Sequence, residues 1–241
     1  MKFQTILNQG LFIKRYKRFL VKLRYKNRII TCHCPNPGSM MGLLNKGNKV
    51  YFSKSNNLKR KLPYTLEIIT NNKTLVGINT MRTNTLAKEL LMKKRIKKKF
   101  KYDEIYSEIK TNHKTRLDFA LYKKKKIIGY VEVKNVTLNR SNNKKGNNTA
   151  EFPDSKTIRG SKHLKELIRL KRKGFICIML YIIQRNDCKY FSIADDIDYE
   201  YSKNFIFARN SGINMLAYNC LVTNKSINIK EKIKVKLQND K

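Results

Sequence analysis

Phe175 to Ile183 (Phe-Ile-Cys-Ile-Met-Leu-Tyr-Ile-Ile) is the longest strongly apolar run in the chain. It is too short to cross a bilayer, which takes about 20 residues of helix. Near-continuous apolar character fits instead a strand buried on both faces, as in sheets covered by helices on each side. The surrounding segments agree. Ahead of it Leu164, Leu167, Ile168 and Leu170 share one side of a helix. Behind it Tyr199–Asn210 reads as a helix ended by Gly212, and Ile213–Val222 as a further strand. Upstream, residues 84–99 read as a helix capped by Asn84, with Leu86, Leu90, Leu91 and Ile96 at helical spacing, and a strand follows from Glu104 to Lys110. With the hairpin described next, the order is helix, three strands, helix, strand, helix, strand. That order predicts an α/β domain with a mixed sheet.

The hairpin is Arg116-Leu117-Asp118-Phe119-Ala120-Leu121-Tyr122, four lysines (123–126), then Ile127-Ile128-Gly129-Tyr130-Val131-Glu132-Val133-Lys134. Two β-rich runs flanking a charged loop predict an antiparallel pair. Folding about the loop sets Asp118 opposite Glu132, their Cβ atoms about 4.5–5.5 Å apart. Lys134 shares that face by the two-residue repeat of a strand. Leu117, Phe119, Leu121, Val131 and Val133 are expected on the other face as core. Opposed carboxylates repel, and a cation between them relieves the repulsion. The competing reading is a cross-strand salt-bridge cluster in which Lys134 and Arg116 neutralise the two acids.

Residues 11–83 carry a different pattern. Short β-like runs (11–23, 28–33, 49–53, 64–70 and 75–79) alternate with turns such as Pro35-Asn36-Pro37-Gly38 and Asn45-Lys46-Gly47-Asn48. Five short strands suit a small barrel of the OB type. The charge divides at the same place. Residues 1–83 hold 17 Lys/Arg and a single acid, Glu67, whereas the other 16 acids lie in 84–241. The expected organisation is two domains, a basic OB-like β-barrel over 1–83 and the α/β domain over 84–241.

The whole chain has 54 Lys+Arg against 17 Asp+Glu, a net charge of +37. Lysine, asparagine and isoleucine can all be written in A/T-only codons, so base composition accounts for part of this excess. The remainder points to a polyanion. Arg15 and Arg18, among Phe12, Tyr16 and Phe19, suit a groove in which charge follows the backbone and rings stack on bases. Most of those rings are also accounted for as barrel core. Lys59-Arg60-Lys61 can reach phosphates from a loop or simply solvate a strand edge. Arg159, Lys162 and His163 open a helix, whose N-terminus favours phosphate. DNA is the expected partner, with RNA as an alternative. A membrane surface is the least expected partner, since the sequence shows no basic amphipathic helix with a broad apolar face.

The five cysteines (32, 34, 177, 188, 220) form no scaffold spacing, and Cys177 and Cys220 sit in apolar runs as buried thiols. Cys32-His33-Cys34 lacks a second ligand pair at finger spacing, so zinc is not expected. With basic residues at 14, 15, 17 and 18 in place of a signal-peptide core, a reducing, cytoplasmic location is expected. The Asn-rich stretch 139–149 is expected to be mobile.

Asp-x13-Glu-x-Lys (Asp118, Glu132, Lys134) is the acidic-acidic-lysine pattern of metal-dependent phosphodiesterases. The carboxylates would hold Mg²⁺ or Mn²⁺, and the lysine would orient water or stabilise developing charge. Together with Thr31-Cys32-His33-Cys34-Pro35-Asn36-Pro37-Gly38-Ser39-Met40, Lys59-Arg60-Lys61-Leu62, Gly77-Ile78-Asn79-Thr80, Arg116-Leu117-Asp118-Phe119, the segment Tyr130 to Leu138, Phe152-Pro153-Asp154 and Arg159-Gly160-Ser161-Lys162-His163-Leu164, it carries a resemblance. Across nearly its whole length the chain resembles the bacterial sugar fermentation stimulation protein family. The resemblance implies an N-terminal OB-like domain and a C-terminal PD-(D/E)XK nuclease-like domain. It also implies non-specific DNA binding and a regulatory role in sugar (maltose) utilisation. Carried onto this chain, the signature falls on Asp118, Glu132 and Lys134, with Glu89 as the helix acid and Glu108 as its alternative. An active Mg-dependent deoxyribonuclease and a non-catalytic DNA-binding regulator both stay open.

Overall fold

A computed structural model describes residues 1–112, 115–140 and 148–236. The first unit has six strands: β1 (Asn8–Tyr16), β2 (Leu20–Tyr25), β3 (Arg28–His33), β4 (Lys49–Lys54), β5 (Tyr64–Asn71) and β6 (Thr74–Gly77). Their order is β3-β2-β1-β4-β5-β6, and His33 of β3 opposite Thr65 of β5 closes the first five into a barrel. Phe12, Val21, Leu23, Val50, Phe52 and Leu66 alternate inward and fill it. The apolar run expected over 11–23 is two strands. Its turn is made by Lys17 and Arg18, both at positive φ (45° and 62°). Paired positive φ matches the twist of a hairpin, but Gly or Asn is its usual sequence mark, and lysine and arginine concealed it.

The second unit contains α1 (Thr83–Leu91), α2 (Lys94–Phe100), β7 (Glu104–Asn112), β8 (Thr115–Lys123), β9 (Lys126–Val136), β10 (Thr149–Phe152), α3 (Ile158–Arg172), β11 (Ile176–Ile183), β12 (Tyr190–Ile193), α4 (Tyr199–Asn210), β13 (Asn214–Val222) and β14 (Ile227–Val235). Its mixed sheet runs β10-β12-β14-β13-β11-β9-β8-β7. The apolar run that opened the sequence analysis is β11, central and parallel to both β9 and β13. It is buried on both faces. Met179 and Tyr181 pack with Leu164, Leu167 and Phe205 from α3 and α4. Ile178 and Leu180 pack with Leu86, Leu90 and Phe100 from α1 and α2.

Several expectations need correction here. The helix placed over 84–99 breaks after Leu91 into α1 and α2, and Asn84 lies inside the first turn of α1 instead of capping it. β10 and β12, four residues each, were not anticipated, and the basic tail supplies β14. The stretch expected to be mobile falls mostly on 141–147, outside the described residues. No helix among the described residues is long and apolar enough to cross a membrane.

The two units dock through short polar contacts. The Asp154 carboxylate accepts from the Met40 backbone N–H at 3.0 Å, and its carbonyl accepts from Ser39 Oγ at 2.6 Å. A Cβ on Gly38 would stand 2.5 Å from the Asp154 carboxylate, so only glycine fits. Similarly, Gly77 donates to the Gln184 carbonyl at 2.8 Å, where any side chain would strike Gln184. The Pro-Asn-Pro-Gly-Ser-Met and Phe-Pro-Asp motifs are thus two halves of one junction.

Candidate metal centre and its cleft

Strands β8 and β9 pair with Phe119 opposite Val131 and Ala120 opposite Tyr130. One step further that register brings Asp118 level with Glu132, and there the backbone ladder stops. The Asp118 side chain takes over, Oδ2 accepting from the Val133 N–H at 2.8 Å. Its Oδ1 accepts from Asn84 Nδ2 of α1 at 2.9 Å. Leu117 does not join the Phe119 face as expected. It packs with the α3 side, and Phe119, Leu121, Val131 and Val133 pack with the α1 side. On the acidic face α3 covers Glu132, and Asp118 lies half-buried beside the exposed Asn84 of α1.

Glu132 is 3 % exposed. Its Oε1 accepts from Lys134 Nζ at 2.5 Å and from His163 Nδ1 of α3. Lys134 Nζ stands 3.3 Å from that same Nδ1. Both nitrogens act as donors and converge on the one oxygen. On the far side of the ring, Arg159 Nε donates to His163 Nε2 at 3.4 Å. An arginine can only donate, so this contact sets Nε2 against a donor, while Nδ1 is the nitrogen that faces Glu132. Glu132 Oε2 is buried and has no partner among the described residues. A buried carboxylate oxygen without a partner costs on the order of 1–3 kcal/mol or more.

Burial, and then repulsion from Glu132, push the Asp118 carboxyl up to about 6. Burial acts on Glu132 in the same direction, but Lys134 and His163 outweigh it and hold Glu132 below the usual carboxylate range. The centre thus has one firmly ionised carboxylate, one that resists ionisation, and a buried oxygen without a partner among the described residues. Asp118 and Glu132 Oε2 offer a set of carboxylate oxygens, the first held in place by the Asn84 amide. Such a set suits a hard divalent cation that keeps several of its waters.

The remaining expected ligands stand apart. Glu89 lies five residues beyond Asn84, about 140° around the helix at 100° per residue. Its exposed carboxylate pairs with the Met1 ammonium at 3.0 Å. Glu108 sits on β7 level with Asp118, since Ser107 faces Phe119 and Ile109 faces Leu117. Its carboxylate, 70 % exposed, pairs with Arg116 at 2.9 Å. No group of three or more His, Cys, Asp or Glu that could hold a metal occurs among the described residues. Asn84 is the contributor that sequence reasoning missed, having taken it for a cap.

Lys134 opens into a cleft of 490 Å³ between the barrel and the α/β unit, lined by Arg18, Gly38, Asn135, Asp154 and Arg159 among others. Of the residues expected to touch nucleic acid, Arg18 and Arg159 line this cleft. Arg15 lies behind it, donating to the carbonyls of Asn36, Gly38, Ser39 and Arg18. Arg18 also donates to the Pro37 carbonyl. Lys162 faces a neighbouring groove between α3 and α4. His163 is buried against Glu132. Lys59, Arg60 and Lys61 lie on the loop between β4 and β5, and Arg60 lines a different cavity.

Two family models match the chain. The one described as the SfsA N-terminal OB domain covers residues 13–78, and the sugar fermentation stimulation protein RE domain covers 81–226. A sugar fermentation stimulation protein homolog of Pelagibacter ubique is 47 % identical over 235 residues, spanning 98 % of this chain and 99 % of that protein. The homolog of Nitrosococcus oceani is 38 % identical, spanning 98 % of this chain and all of that protein. Among solved structures, that titled "The structure of Pyrococcus Furiosus SfsA in complex with Ca2+" matches with a TM-score of 0.84 at 22 % identity, covering 98 % of each chain. At that identity the likeness speaks for the fold.

Proposed function

This chain belongs to the sugar fermentation stimulation protein family, and from that premise we propose that it binds DNA along its basic cleft and holds a divalent cation, Mg²⁺ or Mn²⁺, at Asp118 and Glu132. The family's name supports a role in sugar metabolism. The observation that carries the proposal is the buried Glu132 Oε2, without a partner among the described residues, beside a second carboxylate pushed up to about 6. The Ca²⁺ named for the Pyrococcus furiosus protein is a cation of the same hard, oxygen-seeking class.

When bound, such a cation polarises a phosphodiester and acidifies a coordinated water. The protein's own residues do the rest. His163 and Lys134 engage Glu132 Oε1, which would leave Oε2 to hold the cation. Asn84 and the Val133 N–H fix the Asp118 carboxylate. Lys134, ammonium at the cleft wall, stabilises charge on a phosphate oxygen. Arg18 and Arg159 hold the backbone by charge, without reading sequence. Binding is accordingly sequence-tolerant and falls steeply with salt.

Calorimetric titration with Mn²⁺, followed by oligonucleotide cleavage with Mg²⁺ or Mn²⁺, tests both halves. One site is expected, lost in Glu132→Ala and Asp118→Ala. Metal binding that survives both substitutions would sink the assignment. Competition among duplex DNA, single-stranded DNA and RNA ranks the polymer.

A further inference from the structure

The barrel carries a second cavity, of 640 Å³, lined by His33, Lys54, Arg60, Thr65, Glu67 and Arg82 among others. It shares no lining residue with the cleft. A short 3-10 turn, Thr80–Arg82, divides them: Thr80 faces the cleft, and Met81 and Arg82 face this cavity. The volume falls in the range of small-molecule sites, about 300–1,000 Å³.

The balance of charge identifies the kind of ligand. Glu67 is the only acid among the described residues that line the cavity. Its oxygens are already taken, by Ser53 Oγ at 2.9 Å, Asn79 Nδ2 at 2.8 Å, and Arg82 Nη2 and Nε at 2.8 and 3.2 Å. Arg82 and Glu67 neutralise each other, and Lys54 and Arg60 remain, with no ion pair to an acid among the described residues. The Arg60 guanidinium is anchored through Nη2 to Thr65 Oγ1 at 2.9 Å, which presets the direction of its fork. His33 Nδ1 is buried and has no partner among the described residues. Burial, and then Arg60, lower the His33 pKa, so the ring stays neutral and adds a hydrogen bond without adding charge. Phe3 and Met81 supply apolar surface at the same cavity.

We propose that this cavity binds a small phosphate monoester, its dianion held by Lys54 and Arg60, its contacts completed by His33, and its carbon moiety resting on Phe3 and Met81. Two uncompensated cations match a dianion, and the apolar wall favours an ester over inorganic phosphate. The site is separate from the carboxylate pair and does not depend on a cation being bound there.

The test is calorimetric titration of the full chain with inorganic phosphate, a hexose 6-phosphate, a nucleoside 5′-monophosphate and a 5′-phosphorylated oligonucleotide. Saturable one-to-one binding of at least one monoester, tighter than inorganic phosphate, is expected. Arg60→Ala should weaken it roughly tenfold or more, the scale of one charge-assisted hydrogen bond. Lys54→Ala, at an exposed position, gives an independent check if Arg60→Ala fails to fold. Asp118→Asn should leave monoester binding unchanged, which keeps this result distinct from failure of the metal site. The proposal is overturned if no monoester binds saturably, if neither Arg60→Ala nor Lys54→Ala weakens binding, or if both weaken only the oligonucleotide.

Discussion

Glu67 in the barrel and Glu132 in the α/β sheet are both sealed from solvent, at 0 % and 3 % exposure, and are treated in opposite ways. Around Glu67 every oxygen is matched: two donors from Arg82, one from Asn79 and one from Ser53. Around Glu132 both donors crowd onto Oε1, and Oε2 has no partner among the described residues. Burying a carboxylate is costly unless it is paired and fully hydrogen-bonded. The first residue meets that condition through barrel side chains and the turn Thr80–Arg82 that leads out of the barrel, and acts as a structural post. The second meets half of it, and the proposed cation would meet the other half. The completeness of each hydrogen-bond shell, more than burial itself, distinguishes a structural acid from a functional one.

The largest expected effect breaks the complete member. Glu67→Gln removes the charge opposite Arg82 from a fully buried position. Losing one partner of a buried pair costs about 3–5 kcal/mol. Arg82 is 32 % exposed and can turn toward water, which sets the expectation near the low end, about 3 kcal/mol. A urea midpoint lowered accordingly, with an unchanged slope, checks it. An effect under about 1 kcal/mol would mean that the matched shell contributes little.

Next comes the incomplete member. Wild-type protein in Mn²⁺ at about 100 times its dissociation constant should gain about 2.7 kcal/mol over chelator-treated protein. Glu132→Gln and Asp118→Asn should gain nothing, because each removes a ligand while keeping the side-chain shape. Without cation, Glu132→Gln should cost less than Glu67→Gln, since it also relieves the repulsion on Asp118. Thermal unfolding with and without EDTA reads all of these outcomes. A Glu132→Gln variant still stabilised by Mn²⁺ would place the cation elsewhere.

A smaller effect follows from Asp118 in the chelator-treated protein. Its carboxyl sits at about 6, raised first by burial and then by Glu132, against about 3.9 in the unfolded chain. The folded state therefore binds this proton more tightly. Its contribution is fully present below pH about 4 and is lost as pH rises through about 6, at most roughly 3 kcal/mol and less where water at the half-buried carboxyl screens it. Asp118→Asn should flatten that part of the stability profile. The same titration on Glu67→Gln should keep it.

The hairpin, the barrel and the central strand were legible in the sequence because each writes its burial as a pattern: alternation, punctuated alternation and an unbroken apolar run. Asp118 and Glu132 were legible for the same reason, since the register of a hairpin follows from its loop. Side-chain direction in three dimensions was not. Arg15 looks like a phosphate contact in a basic run, yet its guanidinium donates to carbonyls around Pro37 and holds the loop that meets Asp154. Leu117 changes sides because the ladder ends beside it, and no periodicity marks that point. β10 and β12 are too short to show a period of two. The Phe-Pro-Asp and Pro-Gly-Ser segments were visible as motifs, but their meeting depends on how two domains dock.

The smallest effect is the one that separates helix periodicity from helix direction. Glu89 and Asn84 share α1, and only the acid looks like a metal ligand in the sequence. The fold reverses their importance: Asn84 bonds Asp118, and Glu89 pairs at the surface with the Met1 ammonium. An exposed pair of that kind contributes about 0–1 kcal/mol. Glu89→Gln should therefore leave Mn²⁺ affinity unchanged and stability within about 0.5 kcal/mol of wild type. Asn84→Ala should weaken Mn²⁺ binding by roughly 10-fold, as expected when a residue that orients a ligand is removed. If Glu89→Gln were the variant that lost the cation, α1 would have to turn by over a third of a circle on binding. The Asp118–Asn84 bond could not survive that turn, so the two variants tested together distinguish a preformed centre from one that the cation assembles.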